Sequence, residues 1–241
     1  MENLTHMQAK PKIEVDIWSD IVCPFCYIGK RHFEQALEQA GLSDSVEVTW
    51  HSFELDPSAE TKPGASIYEE LGRRKGWSPE QSREIHNQVT EKAKEAGLDY
   101  QFDKTVPANS RNAHRLLHLA KKHGVQDDVK ERLLKAYFTD GKNIDDYEFL
   151  AETGVSAGLA KEDIQSILKN EKYDQEIRQD IEDARKIGIQ GVPFFVLSRK
   201  YAVSGAQPVD VFVQALKKVK EESGISETDS GDAFCEPDGN C

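Results

Sequence analysis

Cys23-Pro24-Phe25-Cys26 is the segment of this 241-residue chain whose residue types and spacing most directly imply chemistry. Two thiols one helical turn apart can close a disulfide and open it again. The reacting species is the thiolate, so a sulfur with a lowered pKa is the nucleophile. If the segment opens a helix, Cys23 sits at its N-terminus, where unpaired N–H groups and the helix dipole favour negative charge. Cys23 is then the attacking sulfur, with a lowered pKa. Cys26, one turn on and more buried, closes the disulfide that releases the partner. Pro24 and Phe25 carry no charge and no side-chain donor, so the expected lowering is moderate and the couple less oxidising than the strongest oxidants. A zinc site needs a second ligand pair at structural spacing. The other two cysteines, Cys235 and Cys241, lie at the far end of the chain, and no metal is expected at Cys23 and Cys26.

The elements that must position this pair are readable on both sides. IEVDIW, residues 13–18, alternates apolar and other residues and predicts a strand. After the cysteines, Phe33, Ala36, Leu37 and Ala40 recur at helical spacing, Pro24 suits the first helical turn, and Gly41 supplies a stop. VEVTWHSF, residues 46–53, alternates again. The dithiol thus stands at a strand-to-helix junction, a far more specific signal than the bare motif.

From about residue 65 to 188 the signals are helical. Stripes run through Ile85, Val89 and Ala93, through Ala113, Leu116, Leu117 and Ala120, and through Val129, Leu133, Ala136 and Tyr137. Shorter ones follow around Tyr147–Gly154 and 161–168, then a long one through Tyr173, Ile177, Ile181 and Ala184. Strands return at 194–198 and 201–204 as a hairpin about Ser198-Arg199-Lys200, and a last helix carries Val209, Phe212, Leu216 and Val219. The predicted fold class is α/β, one domain split by a large helical insertion. The expected division is 12–63 and 188–222 for the α/β part, 64–187 for the insertion, and 223–241 for a flexible tail.

Gly188-Ile-Gln-Gly-Val192-Pro193-Phe194-Phe195 is the second chemical feature. A cis Val192-Pro193 bond would bring the Val192 backbone to the dithiol, ready to pair with an extended substrate. Spacing by itself favours an ordinary trans proline that starts a strand. Phe25, Tyr27, Phe194 and Phe195 are candidates for an apolar surface beside the cysteines. His51 reads as a core or sheet-surface histidine. His114 and His118, four apart on one helix, read as a solvated face, and His6, His32, His86 and His123 show no partner.

CPFCYIGK, VTWHSFELDP, NSRNAHRL and GVPFFV with YAVSGAQP occur in that order. Together they resemble the DsbA-like thioredoxin-fold family, most closely its FrnE-like branch, over about residues 12–220. The resemblance implies a thioredoxin fold with an inserted all-helical domain, dithiol–disulfide chemistry at Cys23 and Cys26, and a cis Pro193 facing them. Pro24, Phe25, Val192 and Pro193 are then the substrate-contacting positions. Relatives that use glutathione carry serine at the first cysteine position; this chain keeps both cysteines. It has Phe25 where the best-known periplasmic member has histidine.

Thirty-one basic against 43 acidic residues leave a net charge of −12, which argues against nucleic acid and anionic lipid as partners. The N-terminus MENLTHMQAKPKIEVDIW lacks a basic stretch followed by an apolar one, so the expected compartment is the cytoplasm. The tail ends Cys235-Glu-Pro-Asp-Gly-Asn-Cys241, with a turn between the two cysteines. As a coil, the stretch from Glu222 to Cys235 averages roughly 20 Å, enough for a second redox pair to relay to the first. The expected activity is thiol–disulfide exchange on protein or small-molecule thiols, extending to disulfide isomerisation. No cofactor is held tightly, glutathione or a dithiol protein recycles the pair, and a homodimer through the helical block is compatible with the pattern. The rival readings are a glutathione-dependent small-molecule isomerase or transferase, and a chaperone-like binding module.

Overall fold

Ile13, Val15 and Ile17 alternate with polar residues and turn to one face of a strand, β1 (Ile13–Ser19). A computed structural model describes residues 12–223 and places β1 inside a four-stranded sheet. Its neighbour on one side is β2 (Val46–Ser52), parallel, with Ile17 beside Trp50 and Ser19 beside Ser52. On the other side lies β3 (Phe194–Leu197), antiparallel, which continues into β4 (Tyr201–Ser204). The order is β2-β1-β3-β4. The parallel pair needs a crossover, and α1 (Pro24–Gln39) provides it.

The inward face of β1 packs with Phe33 and Ala36 of α1, Phe195 and Leu197 of β3, and Phe212 and Leu216 of α9 (Val209–Ser223). The opposite face carries Trp18, which meets Ala184 and Ile189. Ala184 belongs to α8 (Asp174–Ile187), so helices cover both faces of the sheet. Gly188 ends α8 with φ +87°, a conformation that only glycine adopts at little cost, and turns the chain toward Pro193.

Between β2 and α8 come six α-helices, α2 (Ile67–Lys75), α3 (Pro79–Glu95), α4 (Arg111–Lys122), α5 (Gln126–Phe138), α6 (Tyr147–Ser156) and α7 (Lys161–Lys169), and a single 3-10 turn at Phe102–Lys104. They share a second core that includes Val89, Leu116, Leu133, Phe138, Leu150 and Ile164. Fully burying side chains of this kind contributes about 1.5–3 kcal/mol each. This is a thioredoxin fold with a helical insertion, as the sequence led us to expect. Residues 64–78 carry no distinct periodic stripe, and α2 with its left-handed stop at Gly76 was not separable from the sequence.

Two expectations about side chains are corrected. His114 and His118 are buried rather than solvated, at 0% and 8% exposure. Helix α4 packs against α5, α6, α7 and α8, and both rings face carboxylates: His114 Nε2 is 3.4 Å from Asp20 Oδ1, and His118 Nε2 is 3.3 Å from Asp180 Oδ2. His86 is buried against Tyr68 and Phe102, with Nδ1 2.7 Å from the Ser82 carbonyl, and His32 Nδ1 is 2.8 Å from the Gln207 carbonyl. Both therefore have partners. His51 sits on the sheet, as expected, stacked on Trp18. Among the described residues no helix is long and apolar enough to cross a membrane.

Candidate active site

Strand β1 ends at Ser19, and the turn Asp20-Ile21-Val22 delivers Cys23 as the N-cap of α1. The Cys23 N–H donates to the Asp20 carbonyl at 3.3 Å, and the Cys26 N–H donates to the Cys23 carbonyl at 3.0 Å. Pro24 occupies the first helical position, where a missing N–H costs nothing. Its carbonyl accepts the Tyr100 hydroxyl at 2.6 Å, which ties the start of α1 to the insertion. Phe25 points out, 38% exposed, with the Lys92 ammonium 5.8 Å from its ring. Tyr27 and Phe195 are core residues, not surface ones. Of the four aromatics considered for an apolar collar, Phe25 and the half-buried Phe194 remain.

The Val192-Pro193 bond is cis. The expectation from spacing, a trans proline, is thus corrected, and that from the resemblance is met. The Cys23 thiol donates to the Val192 carbonyl at 3.4 Å. Gly29 makes this approach feasible: a Cβ there would stand 2.9 Å from Pro193 Cγ and 3.4 Å from Phe195 Cζ. Gly29→Ala is therefore expected to destabilise the fold by about 1–3 kcal/mol and to push the Val192 loop off Cys23. Urea denaturation and the alkylation rate of Cys23 check both; an unchanged urea midpoint would refute the close packing.

The electrostatics depart from the expected one. Hydrogen bonding to Cys26, burial and the charge of Cys26 push the Cys23 thiol well above its ordinary range. On Cys26, burial opposes ionisation, but a hydrogen bond from the Cys23 thiol, the Lys130 ammonium and the Ser19 hydroxyl outweigh it and lower its pKa. The two sulfurs titrate as one unit. The one proton on Cys23 serves the Val192 carbonyl or, once Cys26 ionises, the Cys26 thiolate, so the helix N-terminus does not by itself decide which sulfur ionises. Cys23 is 4% exposed and Cys26 fully buried.

Sequence reasoning missed Asp20 and Lys130. Asp20 is fully buried, accepts the Leu55 N–H at 2.8 Å, and disfavours charge on Cys23. Lys130 lies in α5 and is 1% exposed. Its one sequence signal is its place among Val129, Leu133, Leu134 and Tyr137, where a lysine interrupts a buried face. A cavity of about 170 Å³, lined by Val22, Pro24, Leu55, Phe102, Tyr137 and other residues, opens beside the dithiol turn. Cys235 and Cys241 lie outside the described residues.

The sequence model of the DSBA-like thioredoxin domain matches residues 14–217. The chain belongs to that family. DsbA-like proteins similar to it include a probable DsbA oxidoreductase of Streptomyces coelicolor, 39% identical, covering 94% of this chain and 97% of its own, with a TM-score of 0.81. An uncharacterized protein of Bacillus subtilis, YwbO, is 27% identical over 206 residues, 85% of this chain and 96% of its own. The cytosolic disulfide reductase DsbM of Pseudomonas aeruginosa shares the fold at 18% identity and a TM-score of 0.62, covering 87% of this chain and 99% of its own. The matched residues run from β1 into α9 and include the helical insertion of this DsbA-like chain.

Proposed function

We propose that this DsbA-like protein is a cytoplasmic thiol–disulfide oxidoreductase in which Cys23 attacks and Cys26 resolves. The supporting observation is the placement of Cys23 at the N-cap of α1, in contact with the Val192 carbonyl beside Cys26. In the reducing direction, the Cys23 proton passes to Cys26 as the Cys23 sulfur attacks a client disulfide. One client sulfur leaves, and a mixed disulfide remains. The departed client thiolate takes the Cys26 proton, and Cys26 then attacks Cys23; the Cys23–Cys26 bond forms and the second client sulfur leaves as a thiolate that takes a proton from water. The dithiol is oxidised by two electrons and the client reduced by two. A mixed disulfide that reshuffles within the client before Cys26 attacks gives isomerisation. Pro24, Phe25, Val192 and Pro193 frame the client chain, with the Val192 backbone as its hydrogen-bonding edge. Glutathione or a dithiol protein returns the pair to its working state, and the tail pair Cys235–Cys241 is a second couple for that relay.

The test is equilibration of the full chain in graded glutathione buffers, alkylation of free thiols, and mapping of peptides by mass. A reversible Cys23–Cys26 couple between about −270 and −120 mV is expected. A stable glutathione adduct on Cys23 with an inert Cys26 would overturn this reading and favour glutathione-dependent chemistry on small molecules. The same maps reveal whether Cys235 and Cys241 oxidise in step.

A further inference from the structure

Lys130 is a charged side chain that the fold goes to some length to place. Helix α5 is clamped to the edge strand β2 at one residue: the Trp50 N–H donates to Gln126 Oε1 at 3.1 Å, Gln126 Nε2 donates to the Trp50 carbonyl at 2.8 Å, and Trp50 Nε1 donates to Asp127 Oδ1 at 2.8 Å. One turn on, Lys130 lies on the same face as Gln126, with Nζ 5.3 Å from the centroid of the Trp50 ring. A second seam joins α5 to α1 next to the dithiol, since the Tyr27 hydroxyl donates to Glu131 Oε1 at 2.6 Å and Arg31 pairs with the same carboxylate. An insertion helix is thus registered on both the sheet and the cysteine helix, and it carries a fully buried lysine into that corner.

We propose that the Lys130 ammonium holds the buried Cys26 sulfur as a thiolate and thereby sets the redox equilibrium of the dithiol. The proposal rests on the oxidoreductase reading and names the regulating charge for it. In the mixed disulfide, Cys23 has no S–H left to donate to Cys26. The Lys130 charge then favours the Cys26 thiolate against burial, as does the nearby Ser19 hydroxyl, which is buried, makes no hydrogen bond among the described residues and is free to turn toward that sulfur. The dithiol and Asp20 act in return on Lys130: burial lowers its pKa to about 8, against the attraction of Cys26 and Asp20. The other charged group facing it is Lys30 of α1, which is itself neutralised by Glu34, Asp127 and Glu131. Lys130 is thus left facing the sulfurs and Asp20. It is a positioning residue, acting through Cys26.

Because the coupling is reciprocal, the unmodified protein already tests it. The Lys130 side chain, followed by NMR with labelled lysine, should titrate at higher pH in the reduced protein than in the disulfide form, where the Cys26 anion is gone. Equal midpoints in the two forms overturn the proposal whether or not a variant folds. The second measurement is the glutathione equilibrium of Lys130→Met in the full chain. Loss of the charge weakens the reduced form, so the equilibrium constant should move about tenfold toward the disulfide, the factor that one unit of thiol pKa represents. Lys130→Arg should stay within about threefold of the parent. A purely structural role predicts a lower melting temperature with an unmoved redox equilibrium, and that result also overturns the proposal. If the parent protein shows no reversible Cys23–Cys26 couple, the oxidoreductase reading fails first, while the reduced-state titration of Lys130 still reports its coupling to the sulfurs through Cys26→Ser.

Discussion

Changing Cys26 to serine is expected to replace turnover with accumulation of a covalent adduct, whereas Cys23→Ser abolishes both. Cys23 is the sulfur with a path to solvent and with the Val192 carbonyl at 3.4 Å. Cys26 is fully buried and reaches only what is already bonded to Cys23. Loss of the attacking group should cost at least about 10³-fold in disulfide turnover, since the sulfur itself forms the intermediate. Loss of the resolving group should leave the stoichiometry of the first thiol exchange unchanged and block the second. Reaction with a chromogenic aromatic disulfide separates the two, in a full chain whose Cys235 and Cys241 are also serine. The parent should release two equivalents of coloured thiolate, Cys26→Ser one, and Cys23→Ser none. Two equivalents from Cys26→Ser, or full turnover by it, would mean that Cys26 is not the resolving thiol. The pH dependence of the first release adds a further check. The proton on Cys23 must reach Cys26 as the bond forms, so Cys26→Ser should slow the first release at neutral pH while leaving its stoichiometry unchanged.

The elements around this chemistry were largely legible. Alternation in 13–18 and 46–53, the Pro24 start of α1, the Gly188 stop of α8 and the 194–204 hairpin all fall where the pattern placed them, because each is a local constraint of periodicity or turn chemistry. The strand order was not legible: nothing local states that β3 joins the side of β1 opposite β2. The site was half legible. Cys23 and Cys26 announce themselves by spacing, and Pro193 announced its cis bond only through the resemblance. The groups that set the ionisation of the sulfurs did not. Lys130 comes from a helix 100 residues or so away along the chain, and a polar residue in an apolar stripe has no local signature that separates a buried partner from a solvated one. For the same reason the helix dipole alone misplaced the thiolate. It is a local effect, and burial, the interaction between the two sulfurs and a distant lysine act on the thiols as well.

Asp180 carries the largest expected effect on stability. It projects from α8 to the end of β2, where its carboxylate accepts the Ser52 N–H at 2.7 Å and faces His51 Nδ1 at 2.9 Å. The other ring nitrogen of His51 faces Asp16 Oδ1 at 2.7 Å. Carboxylates on both ring nitrogens favour the doubly protonated ring. Burial opposes that charge, but the two hydrogen bonds outweigh it and raise the His51 pKa. Reciprocally, burial works against the Asp180 carboxylate, yet His118 and His51 hold it well below the ordinary carboxylate range, and His51 does the same to Asp16. The carboxylates stabilise the fold above their unfolded pKa of about 3.9, and that contribution is lost as pH falls through their folded values. The imidazolium stabilises it fully below about 6.5, and that contribution is lost as pH rises through its raised folded value. The cluster therefore contributes most between about pH 4 and 6.5. Asp180→Ala leaves a partly buried imidazolium with one partner and a buried Ser52 N–H with none, a loss of about 3 kcal/mol or more in that window. Urea midpoints of parent and variant from pH 3 to 9 should show the gap widest near pH 5.5 and narrowing on both sides. A gap of constant size would mean that Asp180 acts through packing alone. The consequence reaches the dithiol, because α8 runs directly into Gly188 and the Val192-Pro193 loop: a sheet that loosens its hold on α8 also loosens the carbonyl that meets Cys23.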